Sequence, residues 1–335
     1  MNALEPGYIS LYRSGELERR VRSLEARLAE CDICPRECGV NRLDGKLGKC
    51  NSGLLPIVSS YCAHHGEEPA LSGSWGSGTI FFGNCNMRCV YCQNYQISQS
   101  PELQNGNEVS TRALAERMLY LQDELHCHNI NLVTPSHFVP QIVRALVEAV
   151  PMGLRLPLVY NTSSYDSVKT LKELDGIISI YLADIRYASN ESGRKYSRVR
   201  HYADYARAAI IKMQRQVGDL IMDRDGIAQK GLIIRHLILP NGIAGSEDSL
   251  RWLVEEVSPR VAVSIMSQYY PTHRAYKYKE LNRKILPQEY QEVVDIAERL
   301  GIENGWLQGM ASTQSYRPDF TDEEPFVKEK GGRRK

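Results

Sequence analysis

Nine cysteines occur in this chain of 335 residues, and seven of them fall into two tight groups. The later group has the spacing C-x3-C-x2-C, at Cys85, Cys89 and Cys92. Thiolates from one short loop can wrap an iron–sulfur cluster. Three thiolates would leave one iron of a four-iron cluster without a protein ligand, and such an open position is where a substrate or cofactor can bind. The alternatives are a fragment of a zinc site or a chance run.

The earlier group has four cysteines spaced C-x2-C-x3-C-x11-C, at Cys31, Cys34, Cys38 and Cys50. Four thiolates form a closed ligand set, which is typical of structural zinc or of an auxiliary [4Fe–4S] cluster. The segment is too small to build its own core, so a bound metal would help it fold. The sequence does not separate zinc from iron–sulfur. A zinc ribbon that binds nucleic acid is the other functional interpretation.

The charge balance excludes some classes of function. Lys and Arg number 41 against 40 for Asp and Glu, so the net charge is +1 and a nucleic-acid clamp is disfavoured. The chain has no long uncharged apolar run, and its first residues do not resemble a signal peptide. We therefore expect a cytoplasmic protein that does not span a membrane. In a reducing compartment, an odd number of cysteines indicates metal or redox chemistry rather than disulfides.

Short apolar runs alternate with helical patterns after residue 75, as expected for strands buried on both faces of a parallel sheet. The predicted strands are Thr79–Phe82, Ile130–Thr134, Pro157–Asn161, Ile178–Asp184, Leu232–Leu239 and Val261–Ser267. The predicted helices are one capped by Ser110, Val139–Val150, Val168–Leu174, a long stretch near Arg198–Gln216, Leu250–Val257 and Pro287–Leu300. The pattern predicts an α/β fold, a partial (β/α)6 TIM-like barrel with a small Cys-rich N-terminal extension.

In such folds, chemistry takes place at the carboxyl ends of the strands. The polar residues that follow or end the predicted strands are therefore candidate site residues: Thr134, Ser136, His137, Asn161, Ser163, Asp184, Arg186 and Arg235. Arg235 lies within an apolar run, so it needs an anionic ligand or a protein carboxylate such as Asp184. For Ser136 and Ser164 a plain helix cap is the alternative, and for Asp184 and Arg186 it is a surface ion pair.

The cysteine triplet, with Tyr91 just before its last cysteine and at the end of a first strand, resembles the signature of the radical S-adenosylmethionine (SAM) superfamily. The resemblance implies that Cys85, Cys89 and Cys92 bind a [4Fe–4S] cluster. It also implies that the amino and carboxylate groups of SAM chelate the fourth iron, and that Tyr91 lies near the adenine.

Further segments resemble the pyruvate formate-lyase activating-enzyme-like branch of that superfamily, over residues 75–310. The matching segments are Asn161–Tyr165, Asp184-Ile185-Arg186, Ile234–Pro240 and Gln268–His273. The resemblance implies SAM contacts for Asn161, Ser163, Asp184, Arg186, Arg235 and His273. A Gly-Gly-Glu motif that holds the SAM amino group in many members is absent, and Thr134, Ser136 and His137 are its replacements.

The implied mechanism is the transfer of one electron from the cluster to the SAM sulfonium, homolysis of the bond to the 5′ carbon, and hydrogen abstraction from substrate by the 5′-deoxyadenosyl radical. The implied partners are SAM, a flavodoxin- or ferredoxin-like reductant, and a glycyl radical enzyme as protein substrate. Radical modification of a small molecule or nucleic acid is one alternative. An iron–sulfur electron-transfer protein without SAM chemistry is another.

The motifs divide the chain into four predicted regions. Residues 1–30 form a helical leader, 31–74 a Cys-rich metal-binding region, 75–310 the radical SAM core, and 311–335 a C-terminal tail that is partly disordered. Cys62 and Cys127 lie outside both cysteine groups, and we expect Cys127 to be structural.

Overall fold

The computed structural model describes residues 4–310 together with Pro318, Phe320 and Phe326. The predicted disorder of the tail falls, apart from those three positions, outside the described residues. The α-helices are α1 Gly7–Arg13, α2 Glu16–Ala26, α3 Pro69–Ser72, α4 Tyr95–Ser98, α5 Thr111–Asp123, α6 Val139–Ala149, α7 Val168–Glu173, α8 Asn190–Ser197, α9 Tyr202–Val217, α10 Ser246–Trp252 and α11 Pro287–Arg299. The strands are β1 Val58–His64, β2 Ser77–Phe82, β3 Ile130–Val133, β4 Leu158–Thr162, β5 Ile180–Asp184, β6 Ile221–Met222, β7 Ala228–Leu237, β8 Ala262–Met266 and β9 Gly305–Leu307.

In the described part of the chain, these strands form one sheet in the order β1-β2-β3-β4-β5-β7-β8-β9, with β6 paired to β7. The ladders from β2 to β9 along this order are all parallel, whereas β1–β2 and β6–β7 are antiparallel. The parallel strands follow one another in chain order without reversal. All their carboxyl ends therefore lie at one edge of the sheet, where the cysteine loop begins.

Strand alternation separates two faces of this sheet. The helix-covered face packs Leu132, Tyr160, Tyr181 and Ile234 into the main core. The opposite face carries a smaller apolar cluster that includes Val159, Ile180, Leu182 and Ile233. Two residues further along the same strands, this second face carries Asn161, Asp184 and Arg235. On this face, the sequence thus places an apolar layer nearer the amino ends of the strands and a polar layer at their carboxyl ends.

All six predicted strands are confirmed, with ends that differ by up to four residues. The α/β class is confirmed as well. The barrel is not confirmed, because among the described residues no ladder joins β1 to β9 and the sheet is open. Three strands were missed: β1, an edge strand of mixed polarity, the two-residue β6, and β9, which adds a seventh parallel strand.

The helix predicted near Arg198–Gln216 is confirmed as α9, which begins at Tyr202 rather than at Arg198. Arg198 and His201 separate it from α8, because their φ angles of 52° and 54° are left-handed and cannot continue a helix. The predicted cap of α5 is confirmed, since Ser110 Oγ accepts from the Ala113 N–H at 3.1 Å.

The N-terminal helices share the core of the sheet. Leu17, Val21 and Leu24 of α2 are fully buried in the main cluster, where α2 packs against α6. Arg144 of α6 holds Glu25 of α2 by two hydrogen bonds of 2.9 and 2.8 Å. Within the described residues, no helix is both long and apolar enough to cross a membrane.

Candidate active site

The cysteine loop starts where β2 ends and is tightly held there. A Cβ at Gly83 would collide with the Ile57 side chain, so only glycine fits. Further along, the backbone N–H groups of Arg88 and Val90 donate to carbonyls of residues 197 and 196 at the end of α8, at 3.0 and 2.8 Å. These contacts fix the path of the loop before any metal is bound.

The three thiols of the loop lie near one another. Cys85 Sγ accepts from the Met87 N–H at 3.3 Å, and Cys89 Sγ accepts from Ser197 Oγ at 3.0 Å. Burial raises the pKa of Cys85 to about 12 and also raises the pKa of Cys92, and the nearby Cys89 raises both further. A negative charge on one thiol makes ionisation of the next one harder. A cationic metal cluster, which would replace the protons, would stabilise the three thiolates together.

The three cysteines line a cavity of about 100 Å³ at the carboxyl edge of the sheet. Seven of the other candidate residues line the same cavity: Thr134, Ser136, Asn161, Ser163, Asp184, Arg186 and Arg235. They come from the ends of β3, β4, β5 and β7, far apart in sequence. The structure therefore brings these residues together beside the thiols.

Tyr91 and His137 lie outside this cavity. Tyr91 is 3% exposed, its ring packs edge-on to Tyr187 and Tyr269, and its hydroxyl donates to Tyr187 Oη at 2.7 Å. His137 is 1% exposed and bonds through Nε2 to the Gly83 carbonyl at 3.0 Å. Burial lowers its pKa to about 3, so the ring is neutral. The Tyr91 hydroxyl thus anchors the cysteine loop to Tyr187, and the His137 ring anchors the start of the loop at Gly83.

His273 also does not line the cavity. Its ring stacks on Tyr95 with centroids 5.1 Å apart, and its buried Nε2 has no hydrogen-bond partner among the described residues. Burial lowers the pKa of His273 to about 4, with smaller contributions from Arg274 and Arg198. The Arg274 N–H donates to the Val90 carbonyl at 2.8 Å, so the segment after β8 holds the cysteine loop.

A network of charges forms the floor of the cavity. Arg235 donates to Asp184 Oδ1 at 2.8 Å and to Asn161 Oδ1 at 2.6 Å, and its Nη1 lies 3.3 Å from Glu67 Oε2. Arg186 Nη2 donates to Asp184 Oδ2 at 2.5 Å. Arg235 thus pairs with Asp184, the protein carboxylate expected as the alternative to an anionic ligand. The Asp184–Arg186 pair lines a cavity rather than the outer surface.

The two serines with a helix-cap alternative do not cap helices. Helix α6 begins after Phe138, and Ser136 Oγ instead lies 3.3 Å from Thr162 Oγ1. Helix α7 begins after Ser167, and the buried Ser164 Oγ has no partner among the described residues. Neither hydroxyl therefore begins the helix that follows it.

Backbone strain is concentrated at the same edge of the sheet. Asn84, Thr134, Ser164 and His273 follow β2, β3, β4 and β8, and their φ angles are 63°, 61°, 61° and 52°. A β-branched residue such as Thr134 rarely adopts this region. Such conformations cost about 1–3 kcal/mol each and cluster at functional sites, where the surrounding structure maintains them.

A larger cavity of about 600 Å³ adjoins the first, and the sequence reasoning missed it. The two cavities share Asn94, Val133, Asn161 and Arg235. The larger one is also lined by Glu67 and Glu68, which stand between β1 and α3. Two adjacent glutamates before a proline resemble a solvated loop, and no periodic pattern marks them as buried. Only the long-range pairing with Arg235 reveals their position.

The four N-terminal cysteines also come together. Cys31, Cys34, Cys38 and Cys50 line one small cavity of about 10 Å³. Burial raises the pKa of both Cys31 and Cys34, and the neighbouring thiols contribute. Arg42, fully buried, donates to the Gly53 carbonyl at 2.8 and 2.6 Å and to the His137 carbonyl at 2.8 Å. The Arg42 cation partly offsets the rise in the Cys31 pKa that burial causes, because it stabilises the thiolate.

Neither cysteine group is a preformed site for a single ion. Within residues 4–310, no three histidine, cysteine, aspartate or glutamate side chains are arranged to hold one metal ion. A four-iron cluster is larger than an ion, so its three thiols need to border a common space rather than meet at a point. The triplet meets that condition. A single zinc at the N-terminal group would require its thiols to draw closer.

Comparison with known proteins gives limited information. No family model matches the chain. An uncharacterized protein of Methanocaldococcus jannaschii is 28% identical over 295 residues, which cover 86% of this chain and 80% of that protein. The structure of TYW1 with a lysine-pyruvate adduct bound aligns with 68% of this chain and 74% of that one, at 13% identity and a TM-score of 0.39. The functional argument therefore depends on the site itself.

Proposed function

We propose that this protein is a radical SAM enzyme. One observation carries the proposal: a loop with the C-x3-C-x2-C spacing and polar residues from four strand ends line one cavity at the carboxyl edge of a parallel sheet. When bound, a [4Fe–4S] cluster together with SAM supplies a 5′-deoxyadenosyl radical that abstracts hydrogen from a substrate. Within the proposal, the sheet is the open, partial barrel that the sequence predicts.

The residues of the chain have separate tasks in this proposal. Cys85, Cys89 and Cys92 hold the cluster, and their shared cavity leaves one side open. On that side, Asp184 and Asn161 offer acceptors for the SAM ammonium and ribose hydroxyls, and Arg186 offers a cation for its carboxylate. Thr134 and Ser136 take the place of the missing Gly-Gly-Glu motif. The surrounding structure, which maintains the strained backbone at Thr134, holds these groups in place before SAM arrives.

Tyr91, His137 and His273 contribute from outside the cavity in this proposal. They pack behind or beside the cysteine loop, so they fix its shape rather than contact SAM. A SAM contact for these three side chains, expected for Tyr91 and His273 from the family resemblance and for His137 as a replacement for the Gly-Gly-Glu motif, would need the loop to move. Substitution there should lower cluster retention before it changes SAM affinity.

The N-terminal cysteines form a second metal site in this proposal, with Arg42 as a buried cation beside it. Anaerobic reconstitution distinguishes the two candidate metals. About four irons and one zinc per chain would indicate one cluster and a structural zinc site, and about eight irons would indicate two clusters. Zinc without iron would instead support a zinc-dependent binding module.

The decisive experiment is electron paramagnetic resonance of the reduced, reconstituted protein with and without SAM. We expect SAM to change the cluster spectrum and 5′-deoxyadenosine to form slowly. Cys89→Ala should abolish both, whereas Cys127→Ala, which removes a buried cysteine outside both cavities, should leave both unchanged. A spectrum that is indifferent to SAM would indicate an electron-transfer protein and overturn the proposal.

The substrate separates two versions of the proposal. An activating enzyme would act on a glycyl radical enzyme, and a SAM-dependent glycyl radical signal on a second protein in anaerobic extract would support it. Modification of a small molecule is favoured by Glu67 and Glu68, the carboxyl groups that line the 600 Å³ cavity beside the thiols. A flavodoxin- or ferredoxin-like protein serves as the reductant in either version.

A further inference from the structure

The carboxylate of Glu68 is buried and incompletely satisfied. The residue is 8% exposed, and its Oε2 has no hydrogen-bond partner among the described residues. An unpaired buried carboxylate oxygen costs free energy, so such a group requires a cation, a donor or a proton. Glu68 lines the 600 Å³ cavity, so a molecule inside that cavity can reach it.

The nearest cation is already engaged with other carboxylates. Arg235 forms ion pairs with Asp184 at 2.8 Å and with Glu67 at 3.3 Å. The carboxyl groups of Asp184, Glu67 and Glu68 therefore all lie near one guanidinium, that of Arg235. Arg186 pairs with Asp184 from the other side. Burial, with the Glu67 charge adding to it and the Arg235 cation opposing it, raises the pKa of Glu68 to about 7. Were all three carboxyl groups ionised, they would place three negative charges against two cations, so Glu68 either holds a proton or takes a cation from the cavity.

The rest of the cavity suits an organic cation. Phe81, Trp306 and Phe326 are among its lining residues, and aromatic rings attract cations. Gln93, Gln268 and Gln308 add amide donors and acceptors for a polar body. A volume of about 600 Å³ is in the range of small-molecule sites.

We infer that this cavity binds the substrate, and that Glu68 takes a primary ammonium or guanidinium group of a small organic molecule. The inference rests on the proposed radical chemistry, because the cavity shares Asn161 and Arg235 with the space beside the thiols. A cation held on Glu68 would keep the rest of the substrate in line with that shared wall. The neutral glycine of a polypeptide backbone would not use this contact.

Binding of simple probes to the full-length, metal-loaded protein tests the inference. The probes are pentylamine and pentylguanidine as cations, 1-pentanol as the neutral analogue and pentanoate as the anion. We expect the cations to bind about tenfold more tightly than pentanol, a difference that one charge-assisted contact can supply. Glu68→Gln should reduce that preference to less than about threefold. Glu256→Gln, on the exposed turn after α10, should leave it unchanged.

The outcomes separate this inference from the proposed function. If the cations bind no better than pentanol, or if Glu68→Gln retains the preference, the cation site is wrong even when SAM is cleaved. If the wild-type protein binds the cations but neither responds to SAM nor cleaves it, the radical proposal fails and the cation site stands. Should the Gln variant not fold, the four probes on the wild-type protein decide the matter alone.

Discussion

Asp184 and Arg235 are directly paired across the β5–β7 ladder, and the Arg235 Nε donates to Asp184 Oδ1 at 2.8 Å. Their side chains are only 10% and 17% exposed, so the pair is largely shielded from water. Each then takes a second partner: Asp184 binds Arg186, and Arg235 lies beside Glu67. Loss of Arg235 would leave Glu67 without its cation and Asp184 with Arg186 alone.

Replacing Arg235 should therefore destabilise the fold strongly. Removing one partner of a buried ion pair costs about 3–5 kcal/mol, because the remaining carboxylates stay desolvated. We expect Arg235→Met to lower the free energy of unfolding, measured by urea denaturation, by about 3 kcal/mol. Arg260→Met breaks the pair with Asp219, whose arginine is 78% exposed, and should cost less than about 1 kcal/mol. Equal losses in both variants would contradict this account.

The buried carboxyl of Glu68 should make stability depend on pH. Its pKa is raised from 4.5 to about 7, so the folded state holds a proton that the unfolded state releases. That stabilisation is complete below about pH 4.5 and is lost as the pH rises through about 7. Glu67, whose pKa burial also raises, acts in the same direction.

The other groups that face Glu68 must be separated from it. Burial lowers the pKa of His64 to about 4, so His64 removes stability as the pH falls below about 6.5. Arg235 stays charged throughout, and the Ser264 hydroxyl does not titrate. The difference between wild type and Glu68→Gln isolates the carboxyl: the wild-type advantage should shrink from pH 5 to pH 8 in urea titrations. A constant difference would refute the assignment.

The N-cap of α5 offers a test of local structure. Ser110 Oγ accepts from the Ala113 N–H, and replacement of such a cap costs about 1 kcal/mol. Ser110→Ala should lower the free energy of unfolding by that amount. Ser100 precedes the short 3₁₀ turn Pro101–Gln104 without a side-chain cap bond, so Ser100→Ala should be nearly neutral. A larger loss at Ser100 than at Ser110 would show that the cap geometry is wrong.

Metal content should distinguish the cysteine groups. Cys38→Ala removes a thiol that lies beside Cys50 near Gly48, and it should lower zinc or iron bound at the N-terminal group. Cys62→Ala, on the edge strand β1 and outside both cysteine cavities, should leave the metal content unchanged. The zinc and iron contents of both variants are measured by inductively coupled plasma emission spectroscopy after identical reconstitution. Full metal in Cys38→Ala would remove that cysteine from the ligand set.

The sequence predicted the parallel strands because each is a short apolar run buried on both faces, as Ile180–Asp184 shows. Edge strand β1 was not predicted, because only its end residues Val58 and His64 are buried and it has no apolar run. Candidate residues at strand ends were recognisable, since carboxyl ends of parallel strands share one edge. Glu67 and Glu68 could not be recognised as site residues from the sequence, because the partner of Glu67 lies 168 residues away at Arg235.

The two cysteine loops are joined by hydrogen bonds to the backbone. Arg36 Nε donates to the Asn86 carbonyl at 2.8 Å, Arg88 Nη2 to the Lys49 carbonyl at 2.9 Å, and Asn84 Nδ2 to the carbonyl of residue 51 at 2.9 Å. Whatever orders one loop therefore orders the other. By thermodynamic reciprocity, filling either group should raise the affinity of its neighbour, so maturation of the protein should be cooperative rather than stepwise.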